Sequence, residues 1–204
     1  RYHRLAPVLR SRVAQDPPPR HVILCLPRCP ARFDPAPPPD LPEGVEVVWT
    51  DRDDGPATKA LTTARAMAGH IDRLIYCDDD WIMPAGWAAR LLDAGGPNEA
   101  VAGAGFDVDR LKRQSNRALD SAFRDIAQGY AGVSIRPEWL MHRDCTPPPE
   151  AWAVDDIWLS AQFARQHVPI RPLPAARDGM RLAYQDAHAL QDAEILGQKR
   201  HAAN

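Results

Sequence analysis

Twenty-one prolines in 204 residues cut this chain into short lengths. They gather at Pro17-Pro18-Pro19, between Pro35 and Pro39, and at Pro147-Pro148-Pro149. A proline fixes φ at about −65° and has no N–H to give to a ladder or helix. Regular structure must therefore fit between these runs. The runs act as stiff connectors or, less simply, as ligands for an SH3-type domain.

The lengths between the prolines alternate in pattern. Leu5, Val8, Leu9 and Val13 fall at helical spacing within residues 2–14, with basic residues between them. His21 to Leu26 is a continuous apolar run that suits a strand buried on both faces, and Val45 to Trp49 is a second. A helix is expected from Pro56, with Leu61, Ala64 and Ala68 as its apolar stripe. Arg73 to Cys77 reads as a third strand, running directly into Asp78-Asp79-Asp80. Another helix starts at Pro84 and stops at Gly95-Gly96-Pro97. Strands follow at 101–106 and 130–135, with a polar stretch at 107–128 that reads as a helix or a mobile excursion. Residues 155–166 form a strong helix pattern, 170–173 a last strand, and the remainder from Ala175 a polar tail. Strands alternating with helices predict an α/β fold with a largely parallel sheet, as one domain over residues 1–204.

Composition removes several function classes. A net charge of −2 with no basic run argues against a nucleic-acid surface. No apolar stretch approaches the roughly 20 residues that span a bilayer, and no leader pattern opens the chain. Cys25-x3-Cys29 lacks a second pair at zinc-ligand spacing, so the cysteines read as reduced thiols of a cytoplasmic protein.

Three segments carry chemistry. Asp78-Asp79-Asp80 ends a strand, where open α/β sheets bind ligands. Three adjacent carboxylates repel unless a cation or donors compensate, and Mg²⁺ or Mn²⁺ accepts such oxygens. The competing reading is a polar turn that caps the helix from Pro84. Asp155-Asp156 precedes an apolar helical run, where the pair either favours the helix dipole or offers a base to a hydroxyl. Asp53-Asp54-Gly55-Pro56-Ala57-Thr58-Lys59 joins a glycine turn to a helix start, with Lys59 able to neutralise phosphate. It lacks the spacing of a Walker loop, and a plain turn before a surface lysine is the alternative.

Taken in order, Gly55 to Lys59, Ile75 to Pro84, Gly129-Tyr130-Ala131-Gly132-Val133 and Asp155 to Ser160 resemble bacterial GT-A glycosyltransferases of the family 2-like group. The resemblance runs over residues 2–175. It implies a GT-A sheet, a nucleoside diphosphate sugar donor (UDP-sugar favoured) and a carbohydrate or other hydroxyl acceptor. Asp78 and Asp80 correspond to the DxD pair that carries Mn²⁺ or Mg²⁺ and the diphosphate, with Asp54, Lys59 and Asp79 completing the donor contacts. Asp156 corresponds to the second acid of the xED motif, the base of inverting members, and Asp155 stands where glutamate is usual. Gly129 to Val133 becomes the acceptor-side strand and loop.

Two departures from the family pattern follow. The resemblance implies an earlier strand ahead of Arg1, and a sheet without it is expected to expose pairing edges and weaken donor binding. The late metal-ligating histidine of many GT-A enzymes has His188 as its candidate, with His201 a lesser one. A non-catalytic nucleotide-sugar-binding module and a sugar nucleotidyltransferase are the rival functions. The second would normally carry a Gly-rich phosphate loop.

Overall fold

The computed structural model describes residues 4–34, 37, 40–114 and 122–184, together with the backbone of 194–195 and 198–199. Helix α1 (Leu5–Val13) precedes strands β1 (Val22–Pro27) and β2 (Val45–Thr50). A single 3₁₀ turn at Gly55–Ala57 leads into α2 (Thr58–Met67), then β3 (Leu74–Tyr76), a short β4 (Trp81–Ile82) and α3 (Trp87–Asp93). Strands β5 (Ala100–Ala102), β6 (Gly105–Phe106), β7 (Ile126–Ala127) and β8 (Val133–Ile135) follow, before α4 (Asp155–Arg165) and β9 (Ile170–Pro172). Two-residue strands β10 (Arg181–Leu182), β11 (Glu194–Ile195) and β12 (Gln198–Lys199) complete the order.

The fold is mixed α/β, but the sheet is not largely parallel. Strands β1 and β2 pair in parallel as a sheet of two. A separate four-stranded sheet has the order β3-β8-β5-β9, in which only β5 and β9 are parallel. Strand β8 returns antiparallel because the antiparallel β6–β7 ribbon, rather than a crossover helix, turns the chain back from β5. Neither apolar periodicity nor composition encodes that reversal.

Alternation along the strands builds two cores. Leu74, Tyr76, Ala100, Ala102, Val133 and Ile135 face Ala60, Leu61 and Ala64 of α2 and Leu159 and Phe163 of α4. Val101 and Ile75 point the other way, onto Met83, Trp87, Ala88 and Leu91 around α3. The four-stranded sheet is thus a middle layer between helices. Strand β1 is less enclosed than its apolar run suggests. Only Leu26 of this strand is fully buried, because β2 is its sole strand partner among the described residues.

Two further expectations change. Among its described residues, 107–128 holds a 3₁₀ turn at Val108–Leu111 and strand β7, and no α-helix. The expected strand from Tyr130 begins only at Val133, because Gly129–Ala131 forms a 3₁₀ turn and Gly132 takes φ +88°. Gly132 also lies flat against α3. A Cβ there would sit 2.3 Å from Trp87 Cζ2 and 3.0 Å from Leu91 Cδ1, while Trp87 Nε1 donates to Ala131 O at 2.9 Å. Gly132→Ala should cost about 3 kcal/mol in urea melting, from the positive φ and the overlap together. A loss under about 1 kcal/mol would mean that Trp87 has room to swing.

No helix among the described residues is long and apolar enough to cross a membrane.

Candidate functional site

Lys59 organises the site. It stands in the first turn of α2, whose start is held by the segment before it. Asp53 Oδ1 accepts from Gly55 N at 2.8 Å, and Asp53 Oδ2 accepts from Ala31 N at 2.7 Å. Gly55 has φ +62°, and a Cβ on it would lie 2.5 Å from Trp152 O. Trp152 Nε1 in turn donates to Asp53 O. The glycine therefore lets the turn before α2 press against the chain that leads into α4.

From that position the Lys59 ammonium reaches Asp78 Oδ1 at 2.8 Å and Asp155 Oδ2 at 2.5 Å. Burial alone would lower its pKa. The attraction of Asp155, then of Asp78 and Asp156, outweighs burial and holds the group charged well above the ordinary lysine range. Asp156 Oδ1 accepts from Gly129 N at 2.8 Å, and Gly129 itself packs against Lys59. A Cβ at residue 129 would meet Lys59 Cε at 3.1 Å and Asp78 Oδ1 at 3.3 Å. Four sequence segments far apart in the chain thus converge on one ammonium.

Asp155 and Asp156 both stand in the first turn of α4, where they suit its dipole, and they also bond across to Lys59 and Gly129. The residue that enters the helix is Val154, without a side-chain cap. Helix α3 is entered by Gly86, so no aspartate of the triplet caps it.

Burial, then repulsion from Asp155 and Asp78, raises the Asp156 carboxyl to about 7, with Lys59 and the Gly129 N–H opposing the shift. Tyr76 is a buried neighbour of the same cluster. Burial, followed by the charge of Asp156, pushes its phenol well above the ordinary range, so it remains neutral. Its hydroxyl has no hydrogen-bond partner among the described residues.

The other predicted residues are placed differently. Asp54 is buried and gives its oxygens to Arg52 Nε at 2.5 Å and Arg65 Nη1 at 3.2 Å. Two arginines therefore share that carboxylate, which holds the loop before α2. Asp79 and Asp80 sit in the turn between β3 and β4, and their carbonyls accept from Tyr184 Oη at 3.1 Å and Ala183 N at 2.7 Å. His188 and His201 lie outside the described residues. Among the described residues, no group of three or more His, Cys, Asp and Glu side chains could hold a metal ion. A cation at Asp78 and Asp80 would therefore rest on one or two hard carboxylates and take its remaining oxygens from phosphate and water. Mg²⁺ sites are commonly built this way, so the donor set fits.

Several contributors are only weakly marked in the sequence. Ser11, Arg12 and Gln15 of α1 and the following residues are buried and polar, and they bond into residues 77–88. Their signal was the helical stripe Leu5–Val8 continuing onto residues 12 and 15, where polar side chains take over. Trp81 and Tyr130 form a tilted ring pair, 5.5 Å between centroids, beside the acidic turn.

Compared with known proteins, the chain matches no protein-family model and no curated protein.

Proposed function

We propose that this chain is a cation-dependent glycosyltransferase of the GT-A type, acting in the cytoplasm. It would move a sugar from a nucleoside diphosphate sugar, a UDP-sugar by preference, to a hydroxyl acceptor. One observation carries the reading: Lys59 binds both Asp78 of the strand-end triplet and Asp155 beside Asp156. A donor-holding acid and an acceptor-side base need to stand close together, and one half-buried ammonium ties the two acidic segments. The parallel β1–β2 pair and the mixed four-stranded sheet, both against α2, support a GT-A sheet interrupted between β1 and β3.

Asp78 and Asp80 would hold Mn²⁺ or Mg²⁺ with the donor diphosphate, which supplies charge neutralisation on the leaving group. In an inverting displacement Asp156 takes the acceptor proton. Its Oδ1 is fixed by Gly129 N, and a carboxyl near 7 is half ionised where such an enzyme works. Tyr76 stays neutral and adds no charge to the cluster.

Thermal melting with UDP and UDP-sugars, each with Mn²⁺ or with EDTA, tests the reading. A rise that needs both nucleotide and cation is expected, together with Mn²⁺-dependent hydrolysis of one UDP-sugar. Asp80→Asn should abolish cation dependence and donor binding together. Binding without turnover would identify a non-catalytic module. Pyrophosphate release from a nucleoside triphosphate would identify a nucleotidyltransferase.

A further inference from the structure

The acidic turn is held from outside itself at every carbonyl. Asp79 O accepts from Tyr184 Oη, and Asp80 O from Ala183 N, both on the strap that continues β10. The two flanking carbonyls, Asp78 O and Trp81 O, both accept from Nη2 of Arg12, at 3.2 and 3.1 Å. Arg12 Nε also bonds Cys77 Sγ at 3.2 Å, and Nη1 bonds Ser11 Oγ at 3.1 Å. The guanidinium carbon lies 5.1 Å from the Trp87 ring, and the residue is 8% exposed. A buried arginine on a short helix thus spans the turn from end to end.

Its neighbours extend the splint. Ser11 Oγ accepts from Met83 N, Gln15 Nε2 donates to Pro84 O, and Gln15 Oε1 accepts from Ala88 N. Helix α1 therefore fixes the chain on both sides of Asp78–Trp81.

We propose that Arg12 is a positioning residue of the cation and diphosphate site, setting the spacing of the Asp78 and Asp80 carboxylates without touching the ligand. This rests on the cation-site reading above. A turn of three adjacent aspartates tends to splay, because the carboxylates repel and no regular ladder fixes the backbone between β3 and β4. Arg12 supplies positive charge and directional donors to that backbone. A planar guanidinium can hold two carbonyls and a thiol at once. A lysine ammonium lacks the rigid fork and the flat face for Trp87.

The test is manganese and UDP binding to the full chain, by calorimetry and by the electron paramagnetic resonance of bound Mn²⁺. Arg12→Lys should weaken Mn²⁺–UDP binding about tenfold or more and broaden the Mn²⁺ signal, with the unliganded melting temperature lowered by only a few degrees. Methylguanidinium added to Arg12→Gly should restore part of the affinity. Tyr184→Phe frees the Asp79 carbonyl from the opposite side and should weaken binding in the same direction, so the turn remains testable if the Arg12 variants do not fold. Wild-type affinity in folded Arg12→Lys would overturn the proposal, as would unchanged affinity in Tyr184→Phe if no Arg12 variant folds. A wild-type chain that binds neither Mn²⁺ nor UDP would remove the function reading along with it.

Discussion

Replacing Asp156 with asparagine is expected to make the protein more stable and, in the proposed reaction, almost inactive. Asparagine can keep the bond from Gly129 N, so the turn at Gly129–Ala131 stays in place. What it loses is the ionisable oxygen, and base catalysis of this kind typically contributes about 10²–10⁴-fold in turnover. The stability effect has a definite pH window. Asp156 titrates near 3.8 when unfolded and near 7 when folded. Between those values the folded form keeps a proton that the unfolded form has released, so the wild type loses stability as pH rises through the window. Above about 7 both forms are ionised and the deficit levels off. The uncharged amide carries no such cost. The melting temperature of Asp156→Asn should therefore match that of the wild type near pH 4 and exceed it by roughly 10 °C near pH 8, a gain of up to about 4 kcal/mol. A turnover loss under about tenfold would remove Asp156 from the base role. Equal melting temperatures at both pH values would mean that its carboxyl is solvated rather than crowded by Asp155 and Asp78.

How much of this was readable in the sequence depends on which residues are asked about. Helix α4 and strands β1, β2 and β3 fall close to the expected runs, because each is an apolar stretch bounded by proline or acidic residues. The acidic segments could be named as site candidates from their place at element ends. Their partnership could not. Lys59, Asp78 and Asp155 come from three separate segments, and the turn at Gly55 packs on Trp152, near Asp155 in sequence, only in the folded chain. Arg12 was hidden for another reason. A basic residue on an amphipathic helix normally faces water, and only the buried acceptors of residues 77–81 give it reason to turn inward. The direction of β8 was equally invisible, since alternation is the same read up or down a strand. Asp54 shows the opposite case: its motif suggested a ligand contact, while Arg52 and Arg65 hold its carboxylate.

Removal of the Lys59 charge is expected to be the most destabilising single change at the site. The side chain of Asp155 is only 5% exposed, and Lys59→Met would take away the ammonium that it shares with Asp78. Breaking one side of a buried pair typically costs about 3–5 kcal/mol, here a fall of roughly 10 °C in melting temperature. Lys59 keeps its proton well above the ordinary lysine value of 10.5, so its own contribution is constant across neutral pH, starts to fall as pH rises above 10.5 and is lost once pH has passed its raised value. The pH dependence of the variant must then come from Asp156, whose raised carboxyl Lys59 holds down in the wild type. Its deficit should be largest near pH 8 and shrink toward about pH 5 as Asp156 takes up its proton. Adding Asp155→Asn to Lys59→Met should recover much of the loss, because the pair is then removed rather than broken. A loss under about 1 kcal/mol, independent of pH, would place this link among ordinary surface ion pairs. Mn²⁺ carries the point further. Lys59 occupies Asp78 Oδ1, so a cation sharing that carboxylate competes with it in the wild type and replaces it in the variant. If Asp78 belongs to the cation site, Mn²⁺ should raise the melting temperature of Lys59→Met by more than it raises that of the wild type. The reverse order would separate the ammonium from the cation site.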